Sequence, residues 1–121
     1  MQLENERIKA AIKETIGPAF VSLLEEDDVI EIIRNANGLL CVERLGRGIE
    51  ESSLALCNRA AESLIRFLAS SIGEVCNKSH PSLSLKLPFW HARFQGLLPP
   101  VVDAPSFSIR KHNKRVFTLT D

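Results

Sequence analysis

The sequence predicts an α+β domain: N-terminal helices and a β-hairpin, one long central helix, then a mostly antiparallel sheet. Three observations carry this. Leu3, Ile8, Ala11, Ile12 and Ile16 recur at helical spacing, with charged residues between them. Asn35-Ala36-Asn37-Gly38 separates two β-prone runs, and Asn-Gly offers the positive φ that a tight hairpin turn needs. From Ser82 the apolar period changes to two, as in half-buried strands.

In chain order, the first helix stops at Gly17-Pro18, because Gly caps a helix and Pro cannot continue it. A short second helix is expected over 19–24. Glu25-Glu26-Asp27-Asp28 reads as a loop that solvates itself. Residues 29–34 and 39–44 form the hairpin strands, and Gly46-Arg47-Gly48 an open turn. That turn is no phosphate cradle, since no helix opening with Lys-Ser/Thr follows it. Ser52 or Ser53 is positioned to cap the next helix. Its stripe of Cys57, Ala60, Ala61, Leu64, Ile65, Leu68 and Ile72 ends at Gly73 and makes it the longest helix expected. Leu83, Leu85 and Leu87 then mark one strand, 92–98 a second and 106–111 a third, with a fourth expected over 116–119. Phe94 and Phe107 read as core, and Trp90-His91 as a loop tip.

The length of 121 residues suits a single domain, and the 45% hydrophobic, 25% charged composition is that of a globular chain. No apolar run approaches the ~20 residues of a membrane span, and the acidic N-terminus lacks the pattern of a secretory signal. A cytoplasmic chain is the expectation. Cys41, Cys57 and Cys76 are odd in number and widely spaced, and no His stands at ligand spacing from them. They read as reduced thiols, with no metal site.

The formal net charge of zero conceals an asymmetry. Residues 1–85 hold nine Lys/Arg against thirteen Asp/Glu, whereas residues 86–120 hold six Lys/Arg against Asp103 alone. A basic C-terminal third points to an anion. Arg93 starts one strand and Arg110 nears the end of another. The Pro99-Pro100 to Pro105 connection returns the chain, so the two strands can pair and two guanidinium groups can converge on one phosphate. Lys111, His112, Lys114 and Arg115 enlarge the positive field. Taken alone, such arginines also suit a solvated strand face.

Several runs resemble one family. Arg93-Phe-Gln-Gly-Leu-Leu-Pro-Pro-Val-Val102, then Ala104-Pro-Ser-Phe-Ser-Ile-Arg-Lys111 and Val116-Phe-Thr-Leu119, are similar to the end of the N-terminal domain in TrbB-type conjugal-transfer ATPases, members of the type II/IV secretion traffic ATPases. The run 39–46 resembles the hairpin of that family, and Ile65-Arg-Phe-Leu-Ala-Ser70 one of its helices. The resemblance covers nearly the whole chain and is most specific over 93–111. It implies a ring of six N-terminal domains stacked on RecA-like ATPase domains, with ATP and Mg²⁺ at the boundary. It also implies inner-membrane secretion components as partners and a cytoplasmic location, peripheral to that membrane. Arg93 and Arg110 match the positions that reach the nucleotide, and Lys111 supports them.

The chain departs from the family pattern at Gln95, where an acid is common. It also lacks a GxxxxGK[ST] phosphate loop and a Walker B strand, so this chain alone is not expected to hydrolyse ATP. The other readings are a stand-alone, non-catalytic interaction module of a secretion complex and a small DNA-binding domain using Lys111, Lys114 and Arg115. DNA binding is disfavoured by the neutral overall charge and the absence of an aromatic series in the basic region.

Overall fold

A computed structural model describes residues 2–111. Helix α1 (Gln2–Ile16) and helix α2 (Pro18–Glu25) are followed by strands β1 (Val29–Arg34), β2 (Leu39–Arg44) and β3 (Gly48–Ala55). Then come helix α3 (Asn58–Ser71), strand β4 (Ser82–Leu87), a 3-10 turn (Pro88–Trp90), and strands β5 (Ala92–Leu97) and β6 (Ser106–Lys111). The α+β expectation holds. The expected strand over 116–119 lies outside the described residues.

Gly17 separates the first two helices at a φ of 91°. Its N–H donates to Lys13 O at 2.8 Å, and Pro18 opens α2 where no intrahelical donor is required. The hairpin forms between the expected strands, but not through an Asn-Gly two-residue turn. Of the turn residues 35–38 only Gly38 takes positive φ. Asn37 contributes its side chain instead, accepting from Leu39 N–H at 3.0 Å, as Asn does when it mimics a backbone turn.

Residues 48–55 overturn one expectation. They form β3, paired antiparallel with β2, so neither Ser52 nor Ser53 caps a helix. β3 is an edge strand whose residues are exposed or half-buried. With no buried face, it shows no apolar alternation to read. The cap of α3 is Cys57, whose sulfur accepts from Ala60 N–H at 3.4 Å, so Cys57 leaves the apolar stripe. At 14 residues α3 is also one shorter than α1, which has 15.

All the described strands join one six-stranded antiparallel sheet of order β3-β2-β1-β6-β5-β4. The hairpin is therefore not a separate unit. Its first strand pairs with the last described strand at the middle of the sheet. An irregularity between Val29 and Glu31 lets both Val29 and Ile32 face the core. The helices cover that face. Ile12, Phe20, Leu24, Leu64, Ile65 and Leu68 pack against the inward residues of the strands. Phe94 and Phe107 belong to this core as expected, stacked with centroids 5.3 Å apart, and Phe20 lies 6.1 Å from Phe107. Gly96 shares the inward face of β5, where a Cβ would come within 3.0 Å of Ile65 Cγ1 and of Phe94 Cε1.

Arg34 ends β1 on the inward face and is 1% exposed. Nε and Nη2 donate to Leu56 O, Nη2 also donates to Asn58 Oδ1 at 2.9 Å, and Nη1 donates to Pro105 O. Burial pulls the guanidinium pKa below its ordinary value. The hydrogen bonds offset the desolvation. Sequence reading had placed Arg34 only as the end of a strand.

Arg34→Met leaves the Leu56 and Pro105 carbonyls without their donors and should cost about 3 kcal/mol or more in urea unfolding. Arg34→Lys, which keeps charge but loses the fork, should fall between Met and wild type. Gly96→Ala should cost about 1–3 kcal/mol in the same measurement, through overpacking against Ile65 and Phe94.

Candidate phosphate-binding face

The connection between β5 and β6 returns the chain as the prolines suggest. Leu98 N–H donates to Pro81 O at 2.8 Å, and the Pro105 carbonyl is held by Arg34. β5 then pairs with β6 from Leu97↔Ser106 to Ala92↔Lys111, which sets Arg93 directly opposite Arg110. Both side chains leave the face away from the helices, because Phe94, Gly96, Phe107 and Ile109 occupy the inward face.

The same register extends across the sheet. Lys86 pairs with Arg93, Glu31 with Arg110, and Glu43 with Glu31. One row on the open face therefore reads Glu43, Glu31, Arg110, Arg93, Lys86. Acids stand on one half and cations on the other. Lys86 is the member of this row that the sequence places on the polar side of a half-buried strand without joining it to the two arginines. The alternation of Leu83, Leu85 and Leu87 already placed it on the polar face.

The structure does not bring Lys111 to this row. It has the opposite parity to Arg110, and its Nζ donates to Glu26 O at 2.6 Å. Burial lowers its pKa, against the opposing pull of Asp27, Asp28, Glu26 and Glu25. The acidic turn is thus not simply self-solvating. Arg44 Nη1 also lies 2.6 Å from Glu26 Oε1 and 2.9 Å from Asp28 Oδ1, contacts that raise its pKa above the ordinary value. Lys9 Nζ lies 3.5 Å from Glu25. Trp90, expected at a loop tip, is buried and donates from Nε1 to Glu25 Oε2 at 3.4 Å. His91 beside it is exposed, at a φ of 50°. His112, Lys114 and Arg115 lie outside the described residues.

Arg110 is 63% exposed at its side chain and contacts Glu31 Oε1 at 3.1 Å. Arg93 Nη1 donates to Ser84 Oγ at 3.1 Å. A groove of about 620 Å³ adjoins the row, lined among others by Ile33, Ser84, Gln95, Leu97 and Ser108. Chemically, this face offers charge-assisted hydrogen bonds to an anion. Among the described residues no cluster of three His, Cys, Asp or Glu side chains is arranged to hold a metal ion. None of their helices is long and apolar enough to cross a membrane. Cys41, Cys57 and Cys76 are free thiols, and burial pushes that of Cys76 up.

No family model matches the chain. Two curated proteins do. The probable conjugal transfer protein TrbB of Sinorhizobium fredii is 36% identical over 115 residues, covering 95% of this chain and 35% of that protein. The conjugal transfer protein TrbB of Rhizobium radiobacter is 34% identical over 115 residues, with the same coverage. The chain thus spans about a third of the length of these relatives. The crystal structure of the VirB11 ATPase from the Brucella suis type IV secretion system, in complex with sulphate, matches with a TM-score of 0.80. That match covers 96% of this chain and 34% of the other, and at 24% identity it is a likeness of fold. Along 95% of its length, the chain is similar in sequence to the TrbB conjugal transfer proteins of these two bacteria.

Proposed function

We propose that this is the nucleotide-facing, ring-forming N-terminal domain of a hexameric ATPase that powers conjugative DNA transfer or type IV secretion. The observation that carries the reading is Arg93 opposite Arg110 on the open sheet face, with Lys86 beside them. Two guanidinium groups on neighbouring strands lie ~4.8 Å apart at the backbone. That is close enough for long side chains to converge on one phosphate. The 34–36% identity to TrbB proteins and the shared fold with a type IV secretion ATPase supply the context.

In this reading a RecA-like domain holds ATP and Mg²⁺ through its own phosphate loop. The face described here adds positive charge from the other side. Arg93 and Arg110 neutralise phosphate charge as it develops, and so couple nucleotide state to domain position. Lys111 acts from the opposite side of β6 by fixing its last residue to the acidic turn. The assembly works in the cytoplasm, against inner-membrane secretion components.

The DNA downstream of codon 121 provides the first test. A frame continuing into GxxxxGK[ST] agrees with the reading, and a stop codon there turns it into a non-catalytic interaction module. In the complete protein, Arg93→Gln and Arg110→Gln should each lower ATP turnover at least tenfold. Both side chains are exposed, so unfolding free energy should stay within about 0.5 kcal/mol of wild type. Wild-type turnover and nucleotide affinity in both variants would remove the assigned role.

A further inference from the structure

Arg93 and Arg110 are opposite each other in register, yet each bonds to a residue on the strand beyond the pair. Arg110 bonds toward β1, through Nη1 to Glu31 Oε1 at 3.1 Å. Arg93 bonds toward β4, through Nη1 to Ser84 Oγ at 3.1 Å. In the strand order β1-β6-β5-β4, these two acceptors flank the arginine pair. Three strand spacings, roughly 14 Å, separate β1 from β4, and Ser84 lies two residues along β4 from the row of Glu31. Like charges directly opposite on adjacent strands repel, so an outward resting partner for each is the lower-energy arrangement. One phosphate bound by both guanidinium groups needs them to turn inward.

We propose that Glu31 is a resident counter-ion of the arginine row, which a phosphate group has to displace from Arg110. The inference rests on the phosphate-binding reading above and concerns what regulates that same face. Glu31 is the fixed member of the pair, with a side chain 16% exposed against 63% for Arg110. The contact is a single hydrogen bond from one nitrogen rather than a two-pronged clamp, so it can be broken without disturbing the strand. On its other side Glu31 is opposite Glu43, which adds negative charge and no competing cation. When Arg110 swings away, two carboxylates are left opposite each other. A ligand has to offset that repulsion, which selects polyphosphates over monoanions. Ser84, being neutral, imposes no such threshold on Arg93.

The test uses inorganic tripolyphosphate titrated into the 121-residue chain at fixed ionic strength, followed by the Nε–H resonances of Arg93 and Arg110. Glu31→Gln should tighten binding by roughly two- to fivefold, the range expected for releasing one exposed ion pair. Glu43→Gln removes the same charge one strand further away and should give less than half that gain. In an Arg110→Gln background, Glu31→Gln should give no more gain than Glu43→Gln does in the wild-type chain. Weaker binding in Glu31→Gln, or a gain no larger than that of Glu43→Gln, would overturn the counter-ion role while leaving the phosphate face standing. Failure of the wild-type chain and every variant to bind tripolyphosphate would strike the phosphate reading itself, and this inference with it.

Discussion

The geometry of this domain depends on one buried cation. Arg34 sits at the end of the strand that joins the two halves of the sheet. Its guanidinium reaches the β3–α3 junction through Leu56 and Asn58, and the β5–β6 connection through Pro105. The hairpin turn is drawn to the same point, since Leu56 N–H donates to Gly38 O at 2.9 Å. All the acceptors of Arg34 that are described here are neutral, two carbonyls and an amide oxygen. Their value lies in direction as much as energy, because the fork presents its donors at fixed angles. An apolar side chain would fill the space but leave buried carbonyls unpaired.

That constraint carries through to the open face. Pro105 immediately precedes β6, so holding its carbonyl fixes where that strand begins. Pairing then starts at Leu97↔Ser106 and sets Arg93 opposite Arg110. A slip of one residue would exchange the faces of β6, exposing Phe107 and Ile109 and burying Arg110. The stack of Phe94 on Phe107 opposes such a slip. Gly96 contributes by its missing Cβ, letting Ile65 of α3 approach the sheet. The apolar side of the sheet thus sets the positions of the charges on the polar side.

The elements that could be read from the sequence were those with one buried face. Strands β4, β5 and β6 alternate cleanly, and α1 and α3 carry apolar stripes, so their periods were visible. β3 was not, because this edge strand is exposed along its first half and turns only Leu54 against the core. The cap of α3 was misplaced for the same reason: with β3 unseen, the nearest serines looked like its start. Arg34 stood in phase with Ile32 on the inward face, but a single charged residue at a strand end gives no periodic signal. Lys111 looked like a neighbour of Arg110 because adjacency in sequence is easily mistaken for adjacency in space. In a strand, adjacent residues point to opposite faces. Lys86 is the converse case, distant in sequence and two strands away across the same row.

The row has a direction as well as a sign. Acids occupy β1 and β2, and cations occupy β6, β5 and β4, within one face of one sheet. An approaching anion is attracted to one half and repelled by the other, so the field orients it before contact. The core does not depend on these side chains, since the inward face supplies the packing. Fold and charge pattern can therefore vary separately. The VirB11 structure keeps this fold at 24% identity. In the proposed reading, what such a domain does is decided by a few open-face positions, and by where their charges rest when no ligand is present.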